Sequence, residues 1–198
     1  MDIFSGDDDR REYLRFMAEE GDRFGATFSA WCLMTNHVHL IALPQEEDSL
    51  ARAIGEAHRR YTRMKNFAEG VRGYLFQGRF GSCVLDQQHL LAAGRYVERN
   101  PVRAKLVGDA KEYLWSSCRF HCGLTEHDPL IREKQLPTMV DDWAAFVGGW
   151  DNEDDKVLRM GTRTGRPVGD ASFVTGLEEK VGRILRPKPA GRPSGGEK

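Results

Sequence analysis

The groups in this chain best suited to chemistry are two histidines one residue apart and a tyrosine four residues before an asparagine. His37 and His39 lie in "CLMTNHVHLIALP", and Tyr96 and Asn100 in "RYVERNPVRAKLV". In a strand, residues i and i+2 point to the same face, so the two imidazoles project together with Cβ atoms about 6–7 Å apart. That separation lets both reach one metal ion. The same spacing also describes two half-exposed strand histidines that hold nothing, and H-x-H alone does not decide between them. Two histidines leave a divalent ion with open positions, which suits catalysis better than a structural role. Asn100 is the candidate third ligand. On a helix it stands at i+4 from Tyr96, so one face would offer a nucleophilic hydroxyl and an amide oxygen together. Tyr13, Tyr74 and Tyr113 have no amide at i+4, and Tyr61 lies on an apolar helix stripe that marks it as core. Tyr96 itself has Leu90, Ala93 and Val97 nearby, so a core aromatic is the competing assignment.

The surrounding elements follow from periodicity and punctuation. Asp7 to Arg23 reads as a helix, with three aspartates where the dipole favours them. "ATFSAWCLM" and "HVHLIAL" read as strands joined at "TN", with Val38 and Leu40 turned away from the histidines. "SLARAIGEAHRRYTRMKNF" is helical, with Ser49 as its cap. "GYLFQGRFGSCVLD" is broken by glycines and reads as loop plus a short strand. "QQHLLAAGRYVERNP" is a helix that ends near Pro101. Residues 123–155 read as acidic and irregular, "SFVTGLEEKVGRIL" as a short amphipathic helix, and "RPKPAGRPSGGEK" as a disordered tail. The expected class is α+β: a small antiparallel sheet with helices packed on it and a basic C-terminal extension.

A net charge of -1 hides a segregation of sign. Residues 51–110 hold 11 Lys/Arg against 5 Asp/Glu, residues 123–155 hold 2 against 9, and residues 156–198 hold 10 against 4. Two basic blocks flanking an acidic one suggest a polyanion partner, although ordinary solvated surface produces the same pattern. Candidate phosphate contacts are Arg59, Arg60, Arg63, Lys65 and Arg79, together with Arg95, Arg99, Arg103 and Lys105 around the proposed site. Phe76 and Phe80 flank Arg79 and could stack on unpaired bases or pack in the core. Two Gly-Arg-Pro segments, holding Arg166 and Arg192, are narrow and extended enough to lie in a minor groove. Four cysteines in a chain of 198 residues do not read as a disulfide framework. "CRFHCGLTEH" offers Cys118, His121, Cys122 and His127, at a spacing that fits no common zinc pattern. No apolar run approaches the roughly 20 residues needed to cross a bilayer, and the N-terminus lacks the apolar stretch of a signal peptide. A reduced, cytoplasmic protein is expected.

The order "MTNHVHLIALP", "YLFQGRF", "YVERNPVRAKLV", "WSS" resembles the HUH single-tyrosine transposases, and within them the REP-associated tyrosine transposases, over roughly residues 30–120. The "TGRPVG" segment with the helix and basic tail after it is similar to an extension common in that family. The resemblance implies that His37 and His39 are a metal pair, Tyr96 the nucleophile and Asn100 the third ligand. It also implies an RRM-like sheet, an Mg2+ or Mn2+ ion, and a single-stranded or hairpin DNA substrate cleaved through a 5′-phosphotyrosine link. Relatives usually begin with a strand like "YHVTQRGN", and this chain begins at "MDIF", so that first strand is expected to be missing. The expected layout is a catalytic domain over residues 1–122, an acidic irregular segment over 123–161, and a DNA-contacting basic extension over 162–198. Monomer and homodimer both remain open. A DNA-binding relative without strand transfer is the alternative. An RRM-like RNA binder would need exposed aromatics on its central strands, where "HVHLIAL" supplies imidazoles and aliphatics.

Overall fold

A tight β-hairpin carries the two histidines, and the other elements are layered on its two faces. In a computed structural model, described for residues 2–149 and 152–187, β1 (Ala26–Leu33) pairs antiparallel with β2 (Val38–Pro44). The turn closes with Met34 N–H donating to the His37 carbonyl at 2.9 Å. His37 therefore ends the turn rather than lying within β2. The N-terminal segment ties this turn down, because the amides of Ile3 and Phe4 both donate to the Thr35 carbonyl.

The register slips between Phe28 and Ala30. A bulge of this kind reverses which residues face which side. Phe28 before it, and Trp31 and Leu33 after it, all enter one core, while Ala30, Cys32 and Met34 enter the other. Val38, Leu40 and Ala42 of β2 join the first core and Ile41 joins the second. The first core is covered by α1 (Asp7–Phe24) and α2 (Ser49–Glu69), which contribute Tyr13, Leu14, Met17, Ile54, Ala57 and Tyr61. The second is covered by α3 (Gln87–Glu98), which contributes Ala92, Ala93, Tyr96 and Val97. The α+β class with helices packed on a small antiparallel sheet is as expected, and among the described residues the sheet has two strands. "WSS" lines the free edge of β1: Leu33 N–H donates to Trp115 O at 2.8 Å, and Ser117 N–H to Trp31 O at 3.0 Å. This covers the 31–33 end of that edge.

Several local expectations change. Ser49 is not the cap of α2 but its first residue, where its Oγ accepts from Glu46 N–H at 3.0 Å. "GYLFQGRFGSCVLD" forms a loop whose strand-like part is a single parallel bridge from Leu85 to Val168. α3 is capped by the Asp86 carboxylate and stops at Glu98, and a short α4 (Asn100–Arg103) follows directly. A one-turn α5 (Cys118–His121) comes next. The acidic stretch is not irregular throughout: it contains α6 (Trp143–Gly148), and α7 (Asn152–Thr164) begins inside it. Three carboxylates in the first turn of α7 suit the helix dipole. α8 (Ala171–Val181) is the expected short helix. "TGRPVG" folds back onto the body, where Val168 is buried beside Leu158 of α7 in the core that holds Tyr96. No helix among the described residues is long and apolar enough to cross a membrane.

Candidate active site

His37, His39, Tyr96 and Arg103 come together on the second face of the hairpin. The two imidazole rings are 4.8 Å apart between centroids and nearly perpendicular. His39 in turn meets the Tyr96 ring edge-on, at 5.9 Å and 90°. Arg103 stacks its guanidinium 4.4 Å above the Tyr96 ring. The strand alternation expected from sequence therefore holds, with Val38 and Leu40 packed into the opposite core.

Two buried atoms at this place lack partners. His39 Nε2 is buried with no hydrogen-bond partner, and so is Arg103 Nη1. A buried polar atom left bare costs about 1–3 kcal/mol, a cost that a ligand meeting these two atoms would remove. Burial, with His37 and Arg103 nearby, pushes the His39 pKa down to about 3. Burial and Arg103 also lower that of His37. Both rings are thus neutral at ordinary pH, the state in which imidazole binds metal. Asn36 Oδ1 lies 2.7 Å from His37 Nδ1. A proton donated there leaves the His37 lone pair on Nε2, the usual arrangement for a ligating histidine.

Asn100 is placed by the break in its helix. Pro101 has no N–H to give the Val97 carbonyl, and the Asn100 side-chain amide donates instead to the carbonyls of Tyr96 (2.9 Å) and Val97 (3.4 Å). Its nitrogen is thereby engaged, and the oxygen is the atom left for a cation. Among the described residues no group of three His, Cys, Asp or Glu could hold a metal ion. The Asn100 amide, the expected third ligand, is outside those residue types. By donor chemistry, the bare His39 nitrogen, the neutral His37 ring and an amide oxygen on α4 are all groups that a divalent ion accepts.

The other predicted contacts divide sharply. Arg95 pairs with Asp154 and Arg103 with Asp155, both carboxylates from α7. Arg99 donates to the carbonyls of Val147 and Gly148. Lys105 is exposed, in a left-handed backbone conformation with φ 58°. The α2 cations stand on the opposite layer: Arg59 pairs with Glu56, Arg60 with Glu19 and Glu20, while Arg63 is exposed. Lys65 is buried and held by Asp9 and Glu69. Arg79 is exposed, whereas Phe76 and Phe80 pack against the first core. Arg166 donates to the Leu185 carbonyl at 3.2 Å, so its guanidinium braces the C-terminal block. Arg192 lies outside the described residues.

Sequence reasoning missed the brace beneath the site. Glu98, fully buried, accepts from Ser117 Oγ and from Trp143 Nε1 (2.8 Å), and its Oε1 lies 2.6 Å from His121 Nδ1. It sits between Tyr96 and Asn100 in the chain and anchors their segment to distant partners. Cys118 and Cys122 approach to 3.9 Å between sulfurs, His121 is engaged with Glu98 and His127 is exposed, so "CRFHCGLTEH" does not assemble a four-ligand site.

No curated protein and no solved structure matches this chain. A family model described as "Transposase IS200 like" matches residues 1–100, a stretch that contains both histidines, Tyr96 and Asn100. The chain belongs to the IS200-like family of DNA transposases.

Proposed function

We propose that the protein cleaves and rejoins single-stranded DNA through Tyr96, with His37, His39 and Asn100 holding a divalent cation and a hairpin or palindromic repeat as substrate. The observation that carries this reading is the unpartnered, buried Nε2 of His39 beside His37 and against the ring of Tyr96. A bound Mg2+ or Mn2+ would supply Lewis-acid withdrawal of charge from the scissile phosphate, and imidazole ligands favour the softer Mn2+.

The chain's own groups do the rest. The Tyr96 hydroxyl oxygen forms a bond to phosphorus as the bond from phosphorus to the 3′ oxygen breaks. The tyrosine loses its proton and the departing 3′ oxygen gains one. Phosphoryl transfer depends mainly on positioning and charge stabilisation, and Arg103 brings a guanidinium with an unused donor next to Tyr96. The link retains the phosphodiester, so a second 3′-OH can reverse the step and join a new end without ATP.

The test is cleavage of a single-stranded hairpin by the full chain with Mn2+, with Mg2+ and with EDTA. Cleavage should need the metal, vanish in His37→Ala and His39→Ala, and weaken less in Asn100→Ala. Undiminished cleavage in EDTA would remove the cation from the account.

A further inference from the structure

Most of the arginines proposed as phosphate contacts are already held by the chain's own carboxylates or carbonyls. Arg63, Arg72 and Arg79 are not: all three are exposed, and none is ion-paired among the described residues. They gather at the C-terminal end of α2 and on the loop after it, where residues 70–85 include no Asp or Glu. The same surface carries the two most exposed aromatic side chains among the described residues, Phe67 at 90% and Tyr74 at 96%.

The chain brings the backbone segments that carry these two rings close to each other. Gly70 ends α2 in the left-handed conformation and turns the chain back, with Val71 N–H donating to Asn66 O at 3.0 Å. Asn66 Nδ2 then donates to Gly73 O at 2.9 Å. The residues immediately after this clasped pair are Phe67 and Tyr74. Phe76, by contrast, is taken: its ring stacks on His58 at 3.8 Å and 7°. The loop is fastened through Phe76 and presents Tyr74.

We propose that Phe67 and Tyr74 form a stacking platform for unpaired DNA bases, with Arg63, Arg72 and Arg79 meeting the adjoining phosphates. Two large rings left in water beside three unpaired guanidinium groups are poorly explained by packing. They match the way single strands are bound, with bases on aromatic faces and phosphates on cations. That the strand is DNA rests on the transposase reading above.

The experiment is fluorescence anisotropy of a labelled oligothymidylate with the full chain, against a duplex and an oligouridylate of the same length. Tyr74→Ala and Phe67→Ala should each weaken single-strand binding roughly 5- to 150-fold, with little change on duplex. Tyr74→Phe should bind as wild type. Each of Arg63→Ala, Arg72→Ala and Arg79→Ala should flatten the salt dependence by roughly 0.7. Wild-type affinity in both alanine variants would overturn the platform, and so would an equal loss on duplex. Tighter binding of oligouridylate would overturn DNA as the occupant. A covalent adduct that still forms in Tyr74→Ala at saturating hairpin leaves the tyrosine chemistry standing whatever the affinities show. A wild type that forms no adduct sinks that chemistry without touching the affinity comparison.

Discussion

At the scale of single residues the site is a set of incomplete partnerships. His39 Nε2 and Arg103 Nη1 are both buried and both bare, and a metal ion and a phosphate oxygen would complete them in that order. Arg103 is also contested, since Asp155 of α7 lies 3.8 Å from its Nε. Two substitutions should therefore act in opposite directions. Arg103→Ala should weaken binding of single-stranded DNA about tenfold, the loss of one charge-assisted hydrogen bond, while Asp155→Asn should strengthen binding at low salt. Equal affinities for both variants and the wild type, measured at one ionic strength, would place Arg103 off the DNA path. The approach of His37 to His39 was legible because alternation along a strand is local, whereas the meeting of His39 with Tyr96 was expected from the family resemblance and not from spacing. Which cations remain available was not legible. Lys65 and Arg60 look like Arg63 in a sequence, and only the approach of α1 shows that Asp9, Glu19 and Glu20 already hold them.

At the scale of elements, α3 is the part that the site depends on most. It presents Tyr96 to the hairpin and is pinned through Glu98 to Ser117, His121 and Trp143. Glu98→Ala would strip His121 Nδ1 and Trp143 Nε1 of their buried partner, while Ser117 keeps its bonds to the Trp31 backbone, and stability should fall by about 3–5 kcal/mol. Urea unfolding followed by circular dichroism measures this, and an unchanged midpoint would show that the network is not what holds the helix. The brace was invisible in advance because its partners lie 19, 23 and 45 residues further along the chain. The hairpin, α1 and α2 were legible from period and turn residues. α7 was not, although it announces itself as α1 does. Glu153, Asp154 and Asp155 occupy its first turn as Asp7, Asp8 and Asp9 occupy that of α1. Acidity alone reads as irregular structure, yet these charges stabilise a helix start.

At the scale of the whole molecule, two cores share one two-stranded sheet, and the C-terminal block belongs to the second. Val168 and Leu158 pack in the cluster that holds Tyr96, so folding of that block and order at the site are linked. Acid should loosen the entire assembly. Burial pushes His58 down to about 4 and His39 down to about 3, both from 6.5. Below about pH 6.5 the unfolded chain takes up protons at these positions and the folded one does not, so stability is full above that pH and falls as pH drops toward 4 and 3. The urea midpoint, measured with EDTA present, should be lower at about pH 5 than at about pH 7.5, and His58→Gln should reduce the difference. A midpoint that rises in acid would contradict this. The central claim, that the protein breaks DNA by joining it to Tyr96, has a direct measurement. Full-length protein is incubated with a labelled single-stranded hairpin and Mn2+, denatured in SDS, and its labelled peptide identified by mass spectrometry. The account predicts a covalent adduct mapped to Tyr96 that is absent in Tyr96→Phe, while that variant still binds the hairpin; an adduct of equal yield in Tyr96→Phe would contradict it.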